Sequence, residues 1–179
     1  VHRGIVSYNV VWTEPDGRPT FRQATSGPLQ LEINDEPAFV AVVEAMRGAG
    51  LAVDLYPDLA AEQYTKLLVN LSNAVGALSG VPTRDLLTDR AWRQISASLI
   101  SEALGVLRVA GIDVARFRGV PVRVMTWILP LPTMIVKPIL SAQLKVDPEA
   151  RSSMWQDLER GRVTEVDFLN GEIVRIADQ

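Results

Sequence analysis

The sequence predicts a mainly α protein in which a small β-rich segment, residues 1–57, precedes a multihelical domain, residues 58–179. Three observations carry that prediction. β-branched and aromatic residues crowd the opening segment between turn-forming Pro, Gly and Asp. Beyond Pro57 the apolar residues recur at intervals of three and four. Glycines and prolines at Gly80, Pro82, Gly111 and Gly161 then cut this helical pattern into lengths.

Taken in order, Gly4 to Trp12 (GIVSYNVVW) reads as a strand, Pro15-Asp16-Gly17 as its turn, and Pro19 to Thr25 as the return strand of a hairpin. After the Ser26-Gly27-Pro28 break, Leu29 to Ile33 is a third short strand. Glu36 to Ala49 is a helix ended by Gly48 and Gly50, and Leu51 to Tyr56 is a last strand stopped by Pro57. One helix then runs from Leu59 to Ser79. Asp89 caps a second long helix with an apolar stripe at Ile95, Leu99, Ala103, Val106 and Val109, ending near Gly111. Arg116 to Pro121 is loop-like, and Val122 to Leu144, interrupted by Pro130, Pro132 and Pro138, holds short or kinked helices. A final helical pair, Ser152 to Arg160 and Glu165 to Ala177, divides at Gly161.

Composition excludes several classes of function. With 179 residues, 47 % of them hydrophobic, the chain can bury a real core. A net charge of -3 with both signs interspersed offers no basic patch with interleaved aromatics, so no nucleic-acid partner is expected. The absence of cysteine removes thiolate chemistry, disulfides and Cys-based metal sites, and fits a cytoplasmic enzyme. The one histidine, His2, can neither build a metal cluster nor serve well as a base from a terminal position. No signal-peptide pattern opens the chain, and the longest uncharged run, Val124 to Val136, is shorter than the roughly 18 residues of a spanning helix. No membrane partner is expected.

The chemistry is concentrated in Glu62 to Pro82, EQYTKLLVNLSNAVGALSGVP. Lys66, Asn70 and Asn73 are spaced i, i+4, i+7, which on one continuous helix places them within roughly 60° of each other. The surrounding Leu67, Leu68, Val69, Leu71, Ala74 and Val75 leave little water-facing surface, so the polar stripe should face a cleft. The structural alternative is a buried lysine hydrogen-bonded to two asparagines. Elsewhere, Gly48-Ala49-Gly50 resembles the opening of a dinucleotide fingerprint but sits between a helix and a strand, so it reads as a helix cap. Asp157, Glu159, Glu165 and Asp167 read as solvated or capping carboxylates, with Thr164 and Asp167 close to a capping box.

The stretch Arg151 to Arg175, RSSMWQDLERGRVTEVDFLNGEIVR, resembles the signature of the ketopantoate reductase (2-dehydropantoate 2-reductase) family. The matching positions are Ser152-Ser153-Met154 with Gln156-Asp157, then Gly161-Arg162, Thr164-Glu165, Asp167 and Leu169-Asn170-Gly171. Lys66 followed by Asn70 resembles the family's catalytic K-x-x-x-N, with Gly80-Val81-Pro82 at the expected interval. The resemblance covers nearly the whole chain. It implies a C-terminal helical substrate domain like that of 6-phosphogluconate dehydrogenase, a small 2-oxo acid substrate and NADPH as the hydride donor, and it is compatible with a homodimer as the assembled form. It also implies Lys66 as the catalytic residue, stabilising the developing alkoxide and supplying its proton. Ser153 would bind the substrate carboxylate, Asn70 and Asn73 its polar groups, and Glu165 would accept from its hydroxyl or help orient Lys66, unless Ser153 is only a helix N-cap and Glu165 only a first-turn dipole partner.

Two departures qualify what the resemblance implies. The better-known members carry their second asparagine eight residues after the lysine, where this chain has Ala74; Asn73 lies nearer the Lys66 face and is expected to substitute for it. The family also begins with a Rossmann domain carrying a glycine-rich NADPH loop, and residues 1–57 resemble only the last part of that domain. The expectation is therefore a fragment, incomplete at both ends, that would not turn over alone. A non-catalytic helical dimerisation or binding module, suggested by the apolar run Val122 to Leu140, is the alternative.

Overall fold

The computed structural model describes residues 2–8, 10–13, 15–23, 27–141 and 150–179. It is mainly helical, as expected, and separates into two compact units, Val1–Gln63 and Tyr64–Gln179.

The first unit contains β1 (Gly4–Val6), β2 (Val10–Thr13), β3 (Thr20–Gln23), β4 (Leu29–Glu32), α1 (Pro37–Gly48) and β5 (Val53–Tyr56). The expected hairpin forms between β2 and β3, running from Val10 opposite Gln23 to Thr13 opposite Thr20. A 3-10 turn at Pro15–Gly17 closes it, with Asp16 (φ 54°) and Gly17 (φ 71°) both left-handed. The strand expected over residues 4–12 is in fact two. The chain bends at Tyr8, and β1 leaves the hairpin to pair antiparallel with β4, which carries Ile5 into the core. Residue propensity sets extension without choosing the partner strand.

β4 and β5 are parallel, Leu29 opposite Val53 through Glu32 opposite Tyr56, with α1 as the crossover between them. Pro37 begins α1, where its missing N–H costs nothing, and Val43 is its fully buried residue, sharing the core with Ile5 and Val53. Gly50 (φ 85°) donates to the Arg47 carbonyl and Leu51 to that of Met46. Gly48-Ala49-Gly50 is thus a helix C-terminus, as the sequence indicated.

In the second unit follow α2 (Ala60–Asn70), whose first turn belongs to the first unit, α3 (Ser72–Ser79), α4 (Thr83–Thr88) and α5 (Arg90–Val109). A short hairpin, β6 (Arg116–Phe117) and β7 (Val120–Pro121), leads to α6 (Val122–Ile128), α7 (Thr133–Ile139), α8 (Ser153–Glu159) and α9 (Val166–Ala177). Leu68, Leu71, Ala97, Ile100, Ala103, Leu107, Val122, Leu129 and Ile176 form one apolar core around the middle of α5. No helix among the described residues is long and apolar enough to cross a membrane.

Four expectations are corrected. The helix over residues 59–79 is two helices that meet at Leu71. A further helix, α4, occupies part of what reads as a break after Gly80. Residues 116–121 are a hairpin, turned by the left-handed pair Arg118 (φ 50°) and Gly119 (φ 81°). The buried stripe of α5 is Arg93, Ser96, Ala97, Ile100, Ala103 and Leu107, while Ile95 and Val109 are exposed. Counting apolar residues misses that stripe because an arginine and a serine occupy it. The expected short helices after Pro121 are α6 and α7; residues 142–149 of that stretch lie outside the described residues.

Asp89 caps α5 as expected, its Oδ1 accepting from the Ala91 N–H at 2.7 Å. Asp89→Ala should lower stability by about 1 kcal/mol, the usual cost of losing a capping oxygen. A reduced urea midpoint with an unchanged m-value is the expected reading.

Candidate functional site

Lys66 projects from the middle of α2 and Asn70 ends that helix; Asn73 stands in the first turn of α3. Leu71 between them keeps helical angles (φ −54°, ψ −32°) and its N–H still bonds to the Leu67 carbonyl, yet regular α-helix stops at Asn70 and resumes at Ser72. Because Leu71 keeps helical angles and its hydrogen bond, Asn73 follows Lys66 and Asn70 along a nearly continuous helical path.

Two side chains reach the backbone at this junction. Asn170 Nδ2 donates to the Leu71 carbonyl at 3.5 Å, and Ser152 Oγ donates to the Asn73 carbonyl at 3.1 Å. The Ser152 hydroxyl also accepts from the Trp155 N–H, so Ser152, and not Ser153, is the N-cap of α8. Ser153 is left exposed on the first turn. Helix α8 comes this close because position 76 is glycine: a Cβ there would stand 3.2 Å from Ser152 Oγ and 3.1 Å from a Leu86 methyl.

Glu165 occupies the N-cap position of α9, exposed and without a capping hydrogen bond. The capping box suggested by Thr164 and Asp167 is thus not formed; α9 starts one residue later than that pairing needs. Glu165 is close enough to act electrostatically on Lys66. Desolvation pulls the Lys66 pKa below the ordinary lysine range, and the Glu165 carboxylate partly restores it. Lys66 is exposed, where the sequence led to the expectation of a stripe turned into a cleft, whereas Asn70 and Asn73 are half-buried.

The structure thus gathers the N-termini of α8 and α9 against the α2–α3 region. It joins Lys66 to Glu165 by charge and the residue before Ser153 to the backbone of Asn73. A cation of weakened basicity beside a carboxylate, with neutral amides on the same helical region, suits proton transfer to an anionic small molecule. Among the described residues no group of three His, Asp or Glu side chains is placed to hold a metal ion. His2 lies in the other unit, 3.5 Å from Glu36. Sequence reasoning missed the contacts of Ser152 and Asn170, though both sit inside the motifs it singled out.

Comparison with known proteins gives four findings. The family model described as "Ketopantoate reductase PanE/ApbA C terminal" matches residues 58–179. The 2-dehydropantoate 2-reductase of Archaeoglobus fulgidus is 26% identical over 154 residues, covering 86% of this chain and 45% of the relative. Among solved structures, the PanE/ApbA family ketopantoate reductase from Ralstonia eutropha JMP134 aligns with a TM-score of 0.68 and 24% identity, over 98% of this chain and 51% of that one. D-mandelate dehydrogenase in complex with NADH aligns with a TM-score of 0.65 and 22% identity, over 96% of this chain and 54% of that one. The two structures establish a shared fold. The chain spans about half the length of the relatives it matches.

Proposed function

This chain belongs to the ketopantoate reductase PanE/ApbA C-terminal family, and on that premise we propose that it is the substrate-binding part of a reductase that converts a 2-oxo acid to a 2-hydroxy acid with a nicotinamide cofactor. The observation that carries this reading is Lys66, partly desolvated and held within the field of Glu165. Ketopantoate is the substrate to test first and NADPH the preferred cofactor, both supported by family membership; the NADH-bound relative supports nicotinamide chemistry more broadly. The cysteine-free sequence favours a cytoplasmic setting.

When bound, the cofactor supplies the hydride. The described residues include no glycine-rich strand-to-helix turn to cradle its pyrophosphate, since Gly48 and Gly50 end a helix, and no residue of this chain is assigned to it. What the chain's own residues do follows from charge. Reduction builds negative charge on the carbonyl oxygen; the Lys66 ammonium stabilises that charge and gives up a proton to it. Lowered basicity favours that donation. Asn70, Asn73 and Ser153 hold the substrate's polar groups and carboxylate, and Glu165 accepts from the product hydroxyl while keeping Lys66 protonated.

The last role gives a pH prediction. Lys66 must be protonated to donate, so activity falls as pH rises through its pKa. Glu165 raises that pKa, and Glu165→Gln removes the raising charge. The alkaline limb of the kcat profile should therefore move to lower pH in Glu165→Gln; a limb that stays in place would separate Glu165 from Lys66.

A helical binding module remains the second reading, favoured by the exposed Trp127, Met134 and Ile139 on α6 and α7. Steady-state reduction of ketopantoate and related 2-oxo acids by the full-length protein with NADPH decides between them: turnover supports the reductase, and none with any 2-oxo acid supports the module.

A further inference from the structure

The geometry points to Ser152 and Asn170 as positioning residues that hold α8 and α9 against the Leu71–Asn73 backbone and so set Ser153 and Glu165 relative to Lys66 and Asn73, an inference that rests on the reductase reading. Neither residue need touch substrate. Each donates to a backbone carbonyl at the helix junction, Asn170 to Leu71 and Ser152 to Asn73, and each comes from a different helix. The hydroxyl that anchors Asn73 also caps α8, one residue before Ser153, so a single group links the positions of two proposed substrate contacts. In the same way, α9 carries Asn170 five residues after Glu165 and ties the carboxylate's helix to the junction following Lys66 and Asn70.

Asn170 is an expensive way to hold two helices together. Its Oδ1 is buried and, among the described residues, accepts no hydrogen bond. A buried acceptor left in that state opposes folding, so leucine at 170 relieves that cost while giving up one long donor contact to the Leu71 carbonyl, and the two effects on stability offset each other. The geometric effect of the Nδ2 contact is therefore what an apolar substitute cannot supply. A merely structural Asn170 and a positioning Asn170 predict different outcomes for Asn170→Leu.

In the full-length protein, Asn170→Leu should lower kcat/KM for 2-oxo acid reduction by ~10-fold or more, as expected when reacting groups are misplaced by a fraction of an ångström. Its Tm should stay within about 3 °C of the parent. Amide hydrogen exchange should quicken across α9 while α5 keeps its parent rates. Ser152→Ala should show the same kinetic loss together with a lower Tm, because it also removes the α8 cap. Parent kinetics and parent exchange in Asn170→Leu would overturn the inference, as would a fall in Tm with kcat/KM unchanged. In those cases a large defect in Lys66→Ala would leave the reductase reading standing. A parent protein that reduces no 2-oxo acid would overturn both.

Discussion

Lys66→Ala should reduce kcat for 2-oxo acid reduction by ~10²-fold or more, the usual size of effect when a positioned proton donor is lost. Two contributions disappear together: the charge that stabilises the oxygen as it becomes an alkoxide, and the proton that neutralises it. Both act in the transition state, so kcat should fall more than KM rises. The fold should survive the substitution. Lys66 is partly exposed and its desolvation opposes the charged form, so removing it should change stability by only about 0.5 kcal/mol, as at other surface positions. Steady-state kinetics and a thermal melt on one preparation distinguish this from a lysine kept for structure, which would show lost stability and parent turnover. Unchanged turnover in a well-folded variant would remove Lys66 from the mechanism.

How much of this was legible in the sequence depended on whether the information was local. Asp89 as a cap, Gly80 (φ 66°) closing α3 and Gly50 closing α1 were readable because each is a local demand of backbone geometry on one residue type. The parallel pairing of β4 and β5 was not, and neither was the pairing of β1 with β4, because partner choice is decided by burial across some 25 residues of intervening chain. The candidate site was readable only as a set of residue types, and the structure places Lys66, Asn70, Asn73, Ser153 and Glu165 on α2, α3 and the starts of α8 and α9. Its geometry was hidden. An uninterrupted run of helix-forming residues around Leu71 gives no warning that side chains of Ser152 and Asn170, 79 and 99 residues further on, meet the backbone there. Ser152 and Ser153 are adjacent serines, and it is Ser152, packed against Gly76, that caps the helix.

Arg93→Met should destabilise the helical unit by about 3–5 kcal/mol, the range for stripping partners from a buried charged network. Arg93 is 1% exposed, the largest fully buried side chain among the described residues. Its Nε donates to the Leu129 carbonyl, one terminal nitrogen to those of Leu87 and Thr88, and the other to Leu131 and the Thr133 hydroxyl. These acceptors are the C-terminal carbonyls of α4, the end of α6 and the Pro130–Pro132 turn into α7. Helix C-termini carry partial negative charge, so the guanidinium is balanced by two helix ends together with nearby Asp89, and no carboxylate need be buried with it. Methionine keeps the length and apolar stem but takes the guanidinium donors from the Leu87, Leu129 and Leu131 carbonyls, while that of Thr88 keeps the Thr133 hydroxyl. The expected fall in Tm is roughly 6–20 °C for the 179-residue chain, with the urea transition shifted to match. Arg93→Lys should recover only part of it, because one ammonium cannot reach acceptors spread across a planar fork. A methionine variant that melts with the parent would mean that solvent or a rearranged turn satisfies these carbonyls, and that Arg93 does not hold α4 to the α6–α7 turn.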